Sequence, residues 1–376
     1  MLLVLVGLLV KALLLVAEYK TTSIQMDFTK IVPSHLMYQR DSFAVQRKWV
    51  KISDAETATH LTAFIYYPVL SETYREVENL PHSKWQIEHI ETIRKRTGDS
   101  LAVKMAKARV RLAINGKVPD KKLPLIVFGP GLGWLPTDYT YLLASLASKG
   151  YVVIALTGIP ISKQVYFPDS TSESVAKINA DYQKMGDYLS LAVMYAISPK
   201  YKYRRDDSIF ALIDTNKVFA AGHSVSGASA LIAASHNKQI KGIINLDGDV
   251  NNEFEGIQPT QSILYITTQP QGAESSNVIS WNEDRSEKRR DNAFLNNAKH
   301  SVKAVRIKIP EMYHLDFLDV AINKAQLSEK YQGKSFGSIS FEKSFKITLQ
   351  AISEFVEGKD NWDNISKMLK VFIQTL

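Results

Sequence analysis

The sharpest chemical feature of the chain is a serine that ends a short apolar run and opens a run of small residues: Gly222-His223-Ser224-Val225-Ser226-Gly227, within KVFAAGHSVSGASA. A serine on a strained strand-to-helix turn has its hydroxyl exposed, and small neighbours let strand and helix approach closely enough to make that turn. The strict pattern for such a turn, G-x-S-x-G, meets Ser226 at its last position, with Gly227 next. Read otherwise, Ser224 caps an ordinary helix. A hydroxyl becomes a nucleophile when a nearby base takes its proton, and a histidine base needs an acceptor on its second ring nitrogen. With the order serine, acid, histidine, the candidates beyond the turn are His236, His300 and His314. His236 ends the helix that leaves the turn, and His300 precedes the last strand of the parallel series. His314, a few residues past a strand ending at Ile309, is left as the base. His223 abuts the serine, but adjacent side chains on such a turn should diverge, so it reads as structural.

Two positions suit the acid. Asp247 follows KGIINL directly, with Asp249 close behind, whereas Glu274 lies in the loop QPQGAES beyond the next strand. A strand end fixes a carboxylate better than a loop does, which favours Asp247. Acyl transfer also needs backbone N–H donors aimed at the developing oxyanion. Val225, after the nucleophile, would supply one, and Leu132 in Gly129-Pro130-Gly131-Leu132-Gly133-Trp134 the other. That glycine-rich loop lacks the lysine and hydroxyl of a phosphate-binding P-loop and matches a dinucleotide fingerprint poorly. No cofactor or metal is expected.

Such residues need a rigid frame. The segments 44–52 and 60–69 read as an antiparallel pair of strands. The apolar runs at 123–129, 151–158, 217–222, 241–246, 262–268 and 302–309 read as buried strands. Helices are expected near 137–149, 173–198, 227–236, 283–298, 341–357 and 362–376. Buried strands alternating with helices predict an α/β fold with a mostly parallel central sheet covered on both faces. The polar stretch 71–122 reads as a helical insertion in a single domain spanning 40–376. Within it, Leu101, Met105, Ala108 and Leu112 fall at helical spacing with Lys104, Lys107 and Arg111 on another face. Such a helix could rest on a lipid surface, or pack on the domain with its basic face in water.

The chain contains no cysteine, which excludes disulfides, thiolate metal sites and thiol catalysis together. A net charge of +8 favours anionic surfaces such as phospholipid. Nucleic acid is not expected as a partner, because no nucleic-acid module is visible and aromatics are not interleaved with the basic runs. The apolar leader, residues 1–20, is uncharged through residue 17 except for Lys11, and suggests export or membrane anchoring.

From Ala44 to Phe317 the chain resembles the platelet-activating factor acetylhydrolase family, of the plasma type and its bacterial relatives, within the α/β-hydrolase superfamily. The resemblance is carried by TAFIYYPV, PLIVFGPGLG, LLASLASKGYVVIAL, DTNKVFAAGHSVSG, LDG at Asp247 and HLDF at His314. The 23 residues from Ser224 to Asp247 are similar to that family's spacing. Two positions depart from it: Pro130 stands where the family usually has histidine, and Ser226 where the turn has glycine. The resemblance implies metal-independent hydrolysis of the short or oxidised sn-2 acyl ester of glycerophospholipids, or of a small ester. The alternatives are a general short-chain carboxylesterase or dienelactone-hydrolase-like enzyme, and a silent hydrolase fold used for binding.

Overall fold

Alternating β-branched and aromatic residues make β1 (Ala44–Asp54) and β2 (Thr59–Val69) an antiparallel pair, with Ala44 opposite Val69 and Asp54 opposite Thr59. The computed structural model describes residues 43–71, 73–204, 207–250, 254, 256–270, 285–326, 335–359, 362–368 and 372–375. After β2 come β3 (Tyr74–Glu78), α1 (Ser83–Thr97), α2 (Asp99–Ala106) and β4 (Arg109–Ala113), with β3 and β4 paired antiparallel. The main series follows as β5 (Leu123–Gly129), α3 (Thr140–Ser148), β6 (Val152–Thr157), the small pair β7 (Gln164–Tyr166) and β8 (Ser172–Ser174), α4 (Tyr182–Ile197) and β9 (Ile213–His223). It continues with α5 (Val225–His236), β10 (Gly242–Leu246), β11 (Ser262–Thr268), α6 (Arg285–Ala298), β12 (Ala304–Ile309), α7 (Phe341–Val356), α8 (Asp363–Met368) and β13 (Phe372–Thr375).

Among the described residues, nine strands form one sheet in the order β1-β2-β6-β5-β9-β10-β11-β12-β13. The run from β6 to β12 is parallel, and the strands at both ends are antiparallel. Alternation along each strand divides the core. Ile126, Phe128 and Ile244 face the layer with Leu143 of α3 and Phe345 of α7, whereas Leu125, Val127 and Ile243 face Leu189 of α4 and Ile232 of α5. The expected α/β architecture is therefore present. Crossover helices also bring the C-terminal ends of β9 to β12 to one edge, where ligand sites form in such sheets.

Three expected elements differ. The helix expected over 173–198 begins only at Tyr182, because the Asp181 side chain accepts the Lys184 N–H and caps it there. Upstream, β8 pairs with β7 instead. The helix expected at 362–376 stops at Met368, and Phe372–Thr375 pairs antiparallel with β12. In the stretch 71–122, α2 ends at Ala106 and RVRLA extends as a strand that buries Val110 and Leu112 and exposes Arg111. The single basic helix through Leu112 does not form, since a period of two serves those residues better than a helical one.

The expectation of export or membrane anchoring is corrected. Among the described residues no helix is long and apolar enough to cross a membrane. The leader on which that expectation rested lies outside the described residues.

One packing feature ties α6 to the sheet. On β12, Val305, Ile307 and Ile309 enter the apolar core, while Arg306 and Lys308 turn to the other face and are fully buried. There Arg306 pairs with Glu287 and Asp291 of α6, and Lys308 Nζ lies 3.0 Å from Glu287 and 2.9 Å from Asp291. Removing one member of a buried ion network leaves its partners desolvated and uncompensated. Glu287→Ala is expected to lower unfolding free energy by about 3–5 kcal/mol, read from urea denaturation. A change below about 1 kcal/mol would mean the network is hydrated or dispensable.

Candidate active site

Ser224 joins β9 to α5 with φ 56° and ψ −125°, a conformation that a non-glycine residue holds only when its surroundings impose it. Its N–H donates to Leu246 O at 2.9 Å, fastening the turn to the neighbouring strand. The layers meet too closely here for side chains on both. A Cβ on Gly222 would fall 2.5 Å from the Ser226 carbonyl carbon, and one on Gly129 would fall 2.6 Å from the Ser226 Cβ. The two glycines thus leave the space that Ser226 fills, which accounts for a serine where the strict pattern asks for glycine. Ser226 Oγ donates to the Pro130 carbonyl. The two departures from the family pattern are in direct contact, and together they bind the helix that follows Ser224 to the glycine-rich loop. That loop is also held by Gly131 N–H to the Tyr139 hydroxyl at 3.1 Å and Gly133 N–H to Ile161 O at 2.9 Å.

Asp247 follows β10 directly and is again left-handed, with φ 53°. The Asn245 side chain holds the bend, accepting the Gly248 N–H at 2.7 Å and donating to its carbonyl at 3.1 Å. Oδ1 of the buried Asp247 accepts the Thr268 N–H at 2.9 Å and Arg290 Nη1 at 3.0 Å. Oδ2 accepts the Thr268 hydroxyl at 2.7 Å and lies 2.7 Å from His314 Nδ1. Burial pushes this carboxyl up, but Arg290, His314 and Thr268 outweigh it and hold it well below the usual carboxylate range. Asp247 therefore stabilises the fold above the unfolded-state value of about 4, and that contribution is lost only as pH falls through the depressed folded value.

His314 opens a tight turn, His314–Phe317, that follows β12. The turn is anchored by the buried Asp316, whose Oδ2 accepts N–H groups of Tyr313 at 2.8 Å and Gly337 at 2.7 Å, and whose Oδ1 receives Lys324 Nζ at 2.9 Å. The imidazole is 43% exposed, while its Asp247 partner is 1% exposed, so the pair has a dry end and an open end. The buried His223 ring packs on His314 with centroids 4.4 Å apart, and its Nδ1 lies 2.7 Å from the Tyr139 hydroxyl. Burial lowers His223 well below the ordinary histidine value, so it stays neutral and does not repel a protonated His314.

Ser224, His314, Asp247 and Leu132 all line one cavity of about 610 Å³, together with Arg96, Trp134, Thr268 and Arg290. Val225 heads α5, where a first-turn N–H has no helical partner. The five residues expected from the sequence are thus gathered at one end of the sheet. Asp249 instead pairs with Arg289, and Glu274 lies outside the described residues. Sequence reasoning missed Thr268, Arg290 and Arg96. Thr268 was within reach, since it ends the strand beside the one that leads to Asp247; Arg290 lies in RSEKRRDN, which reads as a solvated helix face.

Residues 40–165 match the family described as platelet-activating factor acetylhydrolase, isoform II, and the match ends before Ser224. No curated protein sequence matches the chain. Among solved structures, a ferulic acid esterase from Streptomyces cinnamoneus superposes with a TM-score of 0.62 at 18% identity, covering 85% of this chain and 90% of that one. The fold is that of an α/β-hydrolase. The family resemblance read from the sequence is borne out over residues 40–165, and the family match and structural neighbour together support a carboxylic ester hydrolase.

Two outcomes follow from this hydrolase geometry. Ser226→Ala leaves the buried Pro130 carbonyl without its donor and is expected to cost about 1–3 kcal/mol of stability; an unchanged denaturation midpoint would contradict the contact. Arg290→Gln removes the strongest of the influences that hold the Asp247 carboxyl down. The acid loss of stability, read from urea denaturation across pH, is therefore expected to begin at higher pH than in the parent. A stability–pH profile superimposable on the parent's would show that Arg290 does not act on Asp247.

Proposed function

We propose that the chain is a serine esterase whose substrate is the short or oxidised sn-2 acyl ester of a glycerophospholipid. The observation that carries the reading is the pairing of His314 Nδ1 with Asp247 at 2.7 Å, while the exposed ring opens on the cavity lined by Ser224. In this reading Asp247 accepts a hydrogen bond from Nδ1–H and fixes the tautomer, leaving Nε2 to take the Ser224 proton as Oγ attacks the ester carbonyl. The N–H groups of Leu132 and Val225 hold the oxyanion. His314 returns the proton to the departing alcohol, leaving an acyl-serine, and then activates a water that releases the acid. The phospholipid substrate is drawn from the family described for residues 40–165.

Hydrolysis of a short sn-2 acyl phosphatidylcholine, with p-nitrophenyl acetate alongside and EDTA present, tests the proposal. Ser224→Ala is expected to lower turnover about ten-thousand-fold or more with an unchanged circular dichroism spectrum, and Asp247→Asn by about a thousand-fold to ten-thousand-fold. Parent-like turnover in Ser224→Ala would refute the nucleophile. Hydrolysis of p-nitrophenyl acetate alone would retain the esterase and remove the phospholipid.

A further inference from the structure

The wall of the catalytic cavity is unevenly charged. Lys95, Arg96 and Arg290 line it against the single carboxylate of Asp247, which already holds Arg290 at 3.0 Å. The two remaining cations come from the last turn of α1, where three basic residues follow one another. Arg94 is neutralised, with Nε 2.9 Å from Asp99 and Nη1 2.9 Å from Glu91. Among the described residues, neither Lys95 nor Arg96 has a carboxylate partner.

Arg96 is also not free to swing into solvent. Its Nη1 donates to Leu132 O at 3.0 Å, and its guanidinium lies over the Trp134 ring, 5.5 Å from the centroid. One of its five N–H donors is thereby used, and the fork is held in place on the cavity wall. Burial lowers its pKa, the sign of a cation short of compensating charge. The loop that holds it also passes the nucleophile, since a Cβ on Gly131 would lie 3.4 Å from the Ser224 Cβ. A fixed, partly desolvated guanidinium beside a flexible ammonium suits a bidentate oxyanion.

We infer that Lys95 and Arg96 form an anion subsite on the cavity wall, and that the ester cleaved at Ser224 carries a phosphate or carboxylate on the part lying against α1. The inference rests on the esterase reading, and it assigns a recognition role to the segment between β2 and β5. Arg290 is not part of this subsite, because its charge is engaged by Asp247.

Three esters with the same reacting butyryl groups separate the possibilities, with butyrate release as the readout: 1,2-dibutyrylglycerol, its 3-phosphocholine and its 3-hemisuccinate. At least one of the two esters that carry an oxyanion, the zwitterionic phosphocholine or the anionic hemisuccinate, is expected to exceed dibutyrylglycerol in kcat/KM by about tenfold or more, through a lower KM. The double variant Lys95→Gln with Arg96→Gln is expected to erase that advantage, and Arg96→Lys to restore part of it. Preference for the phosphocholine alone assigns a phosphodiester, preference for the hemisuccinate alone a carboxylate, and preference for both an unselective oxyanion site. An advantage that survives the double variant overturns the subsite. An equal fall in kcat on all three esters also overturns it, leaving Arg96 as a support for Leu132. If butyrate release proves independent of Ser224, the esterase reading fails by itself. The subsite is then decided by calorimetric titration of inorganic phosphate into the Ser224→Ala protein with and without the two glutamines. Binding lost in the glutamine variant sustains it, and equal heats refute it.

Discussion

An ionised carboxylate can be buried only if its oxygens are satisfied, and the organisation of this molecule follows from how Asp247 meets that condition. Its donors come from three elements besides its own: Thr268 at the end of β11, Arg290 on α6, and His314 beyond β12. None of these groups could meet without the parallel order β10-β11-β12, which brings successive strand ends side by side. The left-handed backbone at Asp247 turns the carboxylate toward them, and the Asn245 side chain keeps that backbone in place. The strain at Ser224 and at Asp247 is local. What sustains it is the surrounding sheet.

Helix α6 serves both sides of this arrangement. Arg290 reaches Asp247 after β10, while Glu287 and Asp291 reach Arg306 and Lys308 on the strand that leads to His314. A single helix therefore touches both Asp247 and the strand that leads to His314. It does so through ion pairs, which prefer definite geometries, while its Phe294 packs against Tyr265 and Ala304.

Much of this was legible in the sequence because it is written locally. A strand such as KVFAAG and the small residues after Ser224 identify the turn within a few positions, and strand-end placement singles out Asp247 and His314. Less legible were features whose partners are distant along the chain. Arg290 finds Asp247 across 43 residues and Arg96 finds Leu132 across 36, and neither arginine differs in its neighbours from an exposed one. The segment RVRLA fits helical spacing when joined to Leu101 and Met105, and only its pairing with β3 reveals a period of two. Ser226 departs from the strict motif in the sequence; the space left by Gly129 and Gly222 makes it a filled position.

The last strand has a consequence of another kind. Phe372–Thr375 runs beside β12 with Lys308 opposite Phe372 and Val305 opposite Thr375, so the strand leading to the His314 turn is an interior one. Stripped of that cover, β12 would present unpaired backbone N–H and C=O groups along a rim that other chains could join. The sheet instead ends on the four-residue β13, and so short an edge strand offers few such groups to another chain.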